Sequence, residues 1–202
     1  MSCISEILKV KGDKEFLRVG DEIVIEDGGN YKGYEYLITF STNGFRCGYV
    51  AIDTNHPTYH DSSDYPDYSV HGGITFFDKS HLAESILGHT CTDKWLGFNA
   101  GHSCDLSDID SVNKYFPTLR MMKLLYLKKI NETLCKNIFF DSSIRTKEYM
   151  IDECKKLIDQ LIEKDSEEHE IIMESPSKEA FEEALKFVLD NYGEAIKNLS
   201  KR

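Results

Sequence analysis

Arginine is scarce in this chain of 202 residues: there are five, Arg18, Arg46, Arg120, Arg145 and Arg202. Cations as a whole are outnumbered, with 24 Lys and Arg against 35 Asp and Glu and a formal charge of −11. Phosphate backbones and anionic headgroups are held by clustered Lys and Arg, so the balance speaks against long nucleic acids and membrane surfaces as partners. Long apolar runs are missing too, and a membrane-spanning helix needs about 18 or more consecutive apolar residues. The opening MSCISEILKVKGDKEF carries charges too early for the apolar core of a secretion signal. These absences together lead us to expect a cytoplasmic protein. No C-x-x-C pair occurs among Cys3, Cys47, Cys91, Cys104, Cys135 and Cys154. The expectation is reduced thiols, several of them buried, with neither a disulfide framework nor a four-cysteine zinc site. A phosphate-cradling loop is also missing, because Gly28-Gly29 lacks the following Lys and helix and reads as a turn.

What is present fits a folded chain, at 41% hydrophobic and 29% charged residues. The negative charge is local. Between Asp53 and Asp110 ten acids face two lysines, and six of the seven histidines share that window: His56, His60, His71, His81, His89 and His102.

Apolar spacing at Ile4, Ile7 and Leu8 predicts a short first helix. A strand is expected at Glu22–Glu26, a turn at residues 27–30, and a hairpin of Tyr34–Ser41 with Phe45–Ile52 around Asn43-Gly44. Val70–Phe77 and Trp95–Asn99 read as further strands, with a helix at Lys79–Leu87 between them. Arg120–Phe140 reads as a buried helix, with a strand as the alternative. Thr146 reads as the N-cap of another, running to Lys164 on Met150, Cys154, Leu157, Ile158, Leu161 and Ile162. An acidic connector, Glu163–Glu174, then leads to Ser175-Pro176 and a last helix on Phe181, Leu185, Val188, Leu189, Tyr192 and Ile196. The fold class expected is α+β, a mainly antiparallel sheet with long polar loops, covered by C-terminal helices. Residues 1–165 would form the core domain and 166–202 an appendage, which packs on its own domain or pairs with a second copy.

Three segments carry groups suited to chemistry. His56-Pro57-Thr58-Tyr59-His60-Asp61 has two histidines four apart, but Pro57 and the polar run after it oppose the helix that would place both on one face. In Val70-His71-Gly72-Gly73-Ile74-Thr75, paired glycines inside an expected strand signal a bulge or the close approach of a ligand. His71 at that point can hydrogen-bond a ligand, act as acid or base, or ligate a metal; it can equally be a hydrogen-bonded residue at a bulge. Gly97-Phe98-Asn99-Ala100-Gly101-His102-Ser103-Cys104-Asp105 places Asn99, His102 and Asp105 in one loop. His71, His102 and Asp105 would make a two-histidine, one-carboxylate site for a divalent metal; alternatively Asp105 only caps the next turn of the chain. Cys104 lacks the surroundings of a known cysteine nucleophile, and Cys47 reads as core. Arg46 is the candidate cation for an anionic ligand if its strand borders that of His71; otherwise it pairs with the surrounding acids.

Phe45-Arg46-Cys47-Gly48-Tyr49-Val50, His56-Pro57-x-Tyr59, Val70-His71-Gly72-Gly73-Ile74-Thr75 and the Gly97–Asp105 segment occur in this order and spacing. Together they resemble a family of small uncharacterised bacteriophage and prophage proteins, over roughly residues 35–110. This chain departs at Asn99, where the family has Asp, a change that a binding role tolerates better than catalysis does. The resemblance implies a phage accessory protein in the bacterial host cytoplasm, of a kind that often counters host defence by removing nucleotide signals. The expected function is therefore binding of a small polar, nucleotide-derived ligand. Arg46, Tyr49, His56, Tyr59, His71, Gly72, Gly73, Thr75, Asn99, His102 and Asp105 would form the pocket. The alternative is a metal-dependent hydrolase or phosphodiesterase, with His71, His102 and Asp105 as ligands and His56 or His60 as acid/base.

Overall fold

β-Branched and aromatic residues alternate between two apolar faces along the central strands, and a sheet with both faces covered results. The computed structural model describes residues 2–61, 65–136 and 142–174, together with Lys186. In chain order the elements are α1 (Cys3–Lys11), β1 (Leu17–Val19), β2 (Ile23–Tyr31), β3 (Tyr34–Ser41), β4 (Arg46–Ile52), β5 (Phe76–Asp78), α2 (His81–Leu87), β6 (Lys94–Asn99), α3 (Ile109–Tyr115), α4 (Met121–Cys135) and α5 (Lys147–Glu174). The strands form one sheet in the order β1-β2-β3-β4-β6-β5, with every neighbouring pair antiparallel. The α+β class is as expected. The chain divides into two compact units, Met1–Lys164 and Asp165–Arg202, and the sheet lies in the first.

The alternation assigns each face its cover. Ile38, Val50, Ile52, Leu96 and Phe98 meet Met150, Cys154, Leu157, Ile158 and Leu161 of α5. All five of those α5 residues are fully buried, and each aliphatic side chain so buried contributes about 1.5–3 kcal/mol. Gly48 lets the helix approach, since a side chain there would collide with Phe98 and Cys154. The other face, with Ile25, Leu37, Ala51 and Trp95, is covered by Cys3, Ile4 and Ile7 of α1, Ala83 of α2, and Cys91. α5 therefore covers one face, and α1, α2 and the segment at Cys91 cover the other. Phe40 and Val24 complete a third cluster with α3 and α4.

Several expectations need correction. The chain does not turn at residues 27–30: β2 runs through to Tyr31 with a bulge between Ile25 and Asp27, and Gly28 and Gly29 stay paired with Leu37 and Tyr36 of β3. Of the Val70–Phe77 run only Phe76 and Phe77 are strand, as the start of β5, because Gly72 and Gly73 adopt positive φ (69° and 78°) and turn the chain before it. α4 buries Leu127 but leaves Met121, Met122, Leu125 and Tyr126 exposed, so it is a surface helix. Its expected continuation through residues 137–141 lies outside the described residues. α5 is capped by Thr146, whose Oγ1 accepts from the Tyr149 N–H at 3.2 Å. The helix then continues through the expected acidic connector to Glu174. Apart from Lys186, the expected last helix lies outside the described residues. Cys3 and Cys91 are joined in a disulfide rather than left as thiols. Their separation of 88 residues gives no local spacing that could have signalled it. No helix among the described residues is long and apolar enough to cross a membrane.

Candidate metal and acid–base site

Three segments converge beside the N-terminal end of α5. The first is the glycine turn carrying His71, and the second is the loop after β6 carrying His102 and Asp105. The third is the approach to α5, laced to that loop by the Leu106 N–H donating to Ser143 O (2.9 Å) and the Ser143 N–H donating to Cys104 O (3.3 Å). This lacing delivers Arg145 to Asp105 and Tyr149 to His71.

Asp105 is 1% exposed and is the hub. His71 Nε2 lies 2.8 Å from its Oδ2, the His102 backbone N–H donates to the same oxygen at 3.0 Å, and Arg145 Nε–H donates to Oδ1 at 2.8 Å. Burial alone would raise the Asp105 carboxyl, but the donors from His71, Arg145 and His102 outweigh it and hold it below the usual carboxylate range. An ionised Asp105 requires the proton of His71 on Nε2. A neutral ring then turns the Nδ1 lone pair to the Tyr149 hydroxyl at 3.1 Å. The His71 backbone N–H donates to Glu153 Oε2 at 2.7 Å, one helical turn beyond Tyr149. Burial raises the Tyr149 hydroxyl, and the bond to Asp105 raises the Arg145 guanidinium.

His102 completes the group. One ligand atom each from His71, His102 and Asp105 lies within 4.8 Å of the others. The His102 Nε2 is buried and has no hydrogen-bond partner. Its ring fills the space that a side chain at position 72 would need. An unpartnered buried ring nitrogen beside a second imidazole and a carboxylate is a fit for a cation or an ordered water.

The remaining expected residues have other placements. Arg46 is 5% exposed, and its guanidinium meets Glu26 at 2.7 and 3.0 Å and Asp108 at 2.9 Å. Its charge is therefore matched inside the fold. It reaches the site only indirectly, through Nη1 donating to the Arg145 carbonyl at 3.0 Å. Tyr49 packs with Phe76 and Trp95 on the face opposite α5, where burial pushes its hydroxyl far up. His56 is buried as the cap of the Pro57–His60 turn: its Nδ1 accepts from the Thr58 N–H at 3.1 Å, so its Nε2–H faces the Leu161 carbonyl at 3.3 Å. His60 Nε2 contacts Thr54 O at 2.9 Å, and the Tyr59 hydroxyl donates to Thr92 O at 2.9 Å. Asn99 closes the end of β6, with Nδ2–H donating to Thr75 Oγ1 (3.1 Å) and Oδ1 accepting from the Gly101 N–H (3.0 Å). Thus His71, Gly72, His102 and Asp105 come together, whereas Arg46, Tyr49, His56 and Tyr59 serve the packing elsewhere.

Arg145, Tyr149 and Glu153 were not anticipated. Their one sequence signal is a Tyr and a Glu four residues apart, flanking the apolar stripe of α5. Compared with known proteins, the chain matches no family, no curated protein and no solved structure.

Proposed function

We propose that the chain holds a divalent cation at His71, His102 and Asp105 and hydrolyses a small anionic ester, of which phosphate esters are the first class to try. The observation that carries this reading is the buried, unpartnered Nε2 of His102, in a ring that has a ligand atom within 4.8 Å of one from His71 and one from Asp105. Two imidazoles and one carboxylate suit zinc, iron or manganese. When bound, the cation supplies Lewis acidity. The chain's own groups do the rest. Asp105 and Tyr149 fix the plane of the His71 ring from its two nitrogens; with a cation on Nε2 the ring would carry its proton on Nδ1, donating to the Tyr149 hydroxyl oxygen. Arg145, 23% exposed at its side chain, is the cation next to the cluster that can meet the charge of a substrate. The surrounding acids favour small ligands over polyanions.

Elemental analysis of protein purified without a tag tests this directly. About one equivalent of zinc, iron or manganese per chain is expected, lost in His71→Ala and in His102→Ala. Turnover within a panel of phosphate esters and cyclic nucleotides is expected to stop on chelation. Protein that is metal-free and takes up none of the three ions would sink the proposal.

A second reading rests on a different observation: both ring nitrogens of His71 and both oxygens of Asp105 already have partners within the chain. Such a closed network suits binding without cleavage, as in sequestration of a nucleotide-derived signal by a phage accessory protein. A saturable thermal shift by a cyclic nucleotide, with no metal and with the ligand recovered intact, would select this reading over the first.

A further inference from the structure

Away from Asp105, a second group of metal-ligating side chains gathers where α1 meets the loop between α2 and β6. Cys3 opens α1 and Cys91 lies in that loop; they are disulfide-bonded, and only 5% and 3% exposed. His89, two residues before Cys91, brings a ring nitrogen within 4.8 Å of both sulfurs. The ring is held from α1, since Nε2 lies 3.1 Å from Glu6 Oε2. The Nδ1 contact to Thr90 O, at 3.4 Å, is too long to hold it strongly. A carboxylate on one ring nitrogen and a weakly held second nitrogen is the arrangement of a metal-ligating histidine. The Cys3 backbone N–H donates to the buried Asp93 Oδ2 at 2.8 Å, so the first turn of α1 stays on the loop without help from the sulfur.

We propose that Cys3, His89 and Cys91 take up a zinc-class cation once the disulfide is reduced, so that the same junction is closed by a sulfur–sulfur bond in oxidising surroundings and by a metal in reducing ones. Reduction moves two electrons and two protons from a dithiol reductant to the pair, leaving the reductant as a disulfide and Cys3 and Cys91 as thiols. Metal binding then releases both thiol protons to solvent and changes no oxidation state. Two thiolates and an imidazole select zinc over the oxygen-seeking magnesium and calcium. The His89 side chain is 52% exposed, which leaves water free to complete a fourth position.

The test uses the full chain carrying His71→Ala and His102→Ala, so that the Asp105 cluster takes up no metal; the reduced-minus-oxidised difference in the unaltered chain is the parallel measurement. Cobalt(II) is added anaerobically to the reduced and to the oxidised protein. We expect about one equivalent per chain and a thiolate-to-cobalt charge-transfer band in the reduced protein alone. Cys91→Ser should abolish the band, and His89→Ala should weaken uptake on the order of tenfold or more. Trp95, the sole tryptophan, is fully buried in the same layer, so its emission reports whether α1 remains packed. Reduced protein that keeps the Trp95 emission and shows no band overturns the proposal. So does reduced protein that loosens and is not restored by zinc.

Discussion

At Gly72 a backbone and an imidazole ring compete for one space. The residue has φ 69°, and a side chain on it would collide with His102, whereas its neighbour Gly73 has φ 78° and open space around it. Both positions disfavour an L-residue, but only one touches the cluster. Gly73→Ala should therefore cost the backbone penalty alone, about 1–2 kcal/mol. Gly72→Ala should cost more, about 2–4 kcal/mol with a displaced ring, and should also reduce metal uptake. Denaturant melts of both variants beside elemental analysis check this, and equal losses with unchanged metal content would contradict it. The same pair shows what single residues reveal before folding. The two glycines beside His71 signalled a close approach, and the approaching group proves to be the side chain of His102, part of the site itself.

Arg46 belongs to the scale of elements, because it ties β2, β4, α3 and the approach to α5 together. The bulge in β2 leaves Glu26 without a partner on β3, and its buried carboxylate meets Arg46. Asp108 caps α3 by accepting from the Ser111 N–H at 3.0 Å and meets the same guanidinium. Removing one partner of a buried pair strands the other, so Arg46→Ala should lower stability by about 3–5 kcal/mol. At temperatures where the variant stays folded, its ligand affinity should fall only modestly, since Arg46 reaches the site through the Arg145 carbonyl alone. Affinity falling in step with loss of a charge contact would restore Arg46 as an anion ligand. Asp108 adds a pH signature. Burial works against its ionised form, but Ser111 and Arg46 together hold its carboxyl below the usual range. A depressed carboxyl stabilises fully above its unfolded value near 3.9, and that share is lost as pH falls towards its folded value. The thermal midpoint of Asp108→Asn should therefore fall less steeply than that of the natural chain below about pH 4.

At the same scale, elements defined by their own residues were legible in the sequence. β3, β4, β6, α1, α2 and the first part of α5 follow from alternation, the Asn43-Gly44 turn or an apolar stripe. What sequence could not show depends on contacts across long separations. The disulfide joins residues 88 apart, and the Cys104–Leu106 ladder to Ser143 is what delivers Arg145 and Tyr149. The histidines and Asp105 were found because they sit with glycines at the ends of strands. Their partners on α5 sit in an ordinary amphipathic pattern. The acidic residues after Lys164 read as a connector for lack of an apolar stripe, although their propensity suits continued helix.

For the molecule as a whole, the strand order decides how it meets other chains. The two outermost strands, β1 and β5, span three residues each, Leu17–Val19 and Phe76–Asp78. Where β2 extends beyond β1 it begins with the bulge, and Asp27 there pairs with Lys147 of α5 at 3.1 Å. Short or kinked borders are poorer templates for a foreign strand than long straight ones. Strand exchange between copies is therefore disfavoured at β1 and β5.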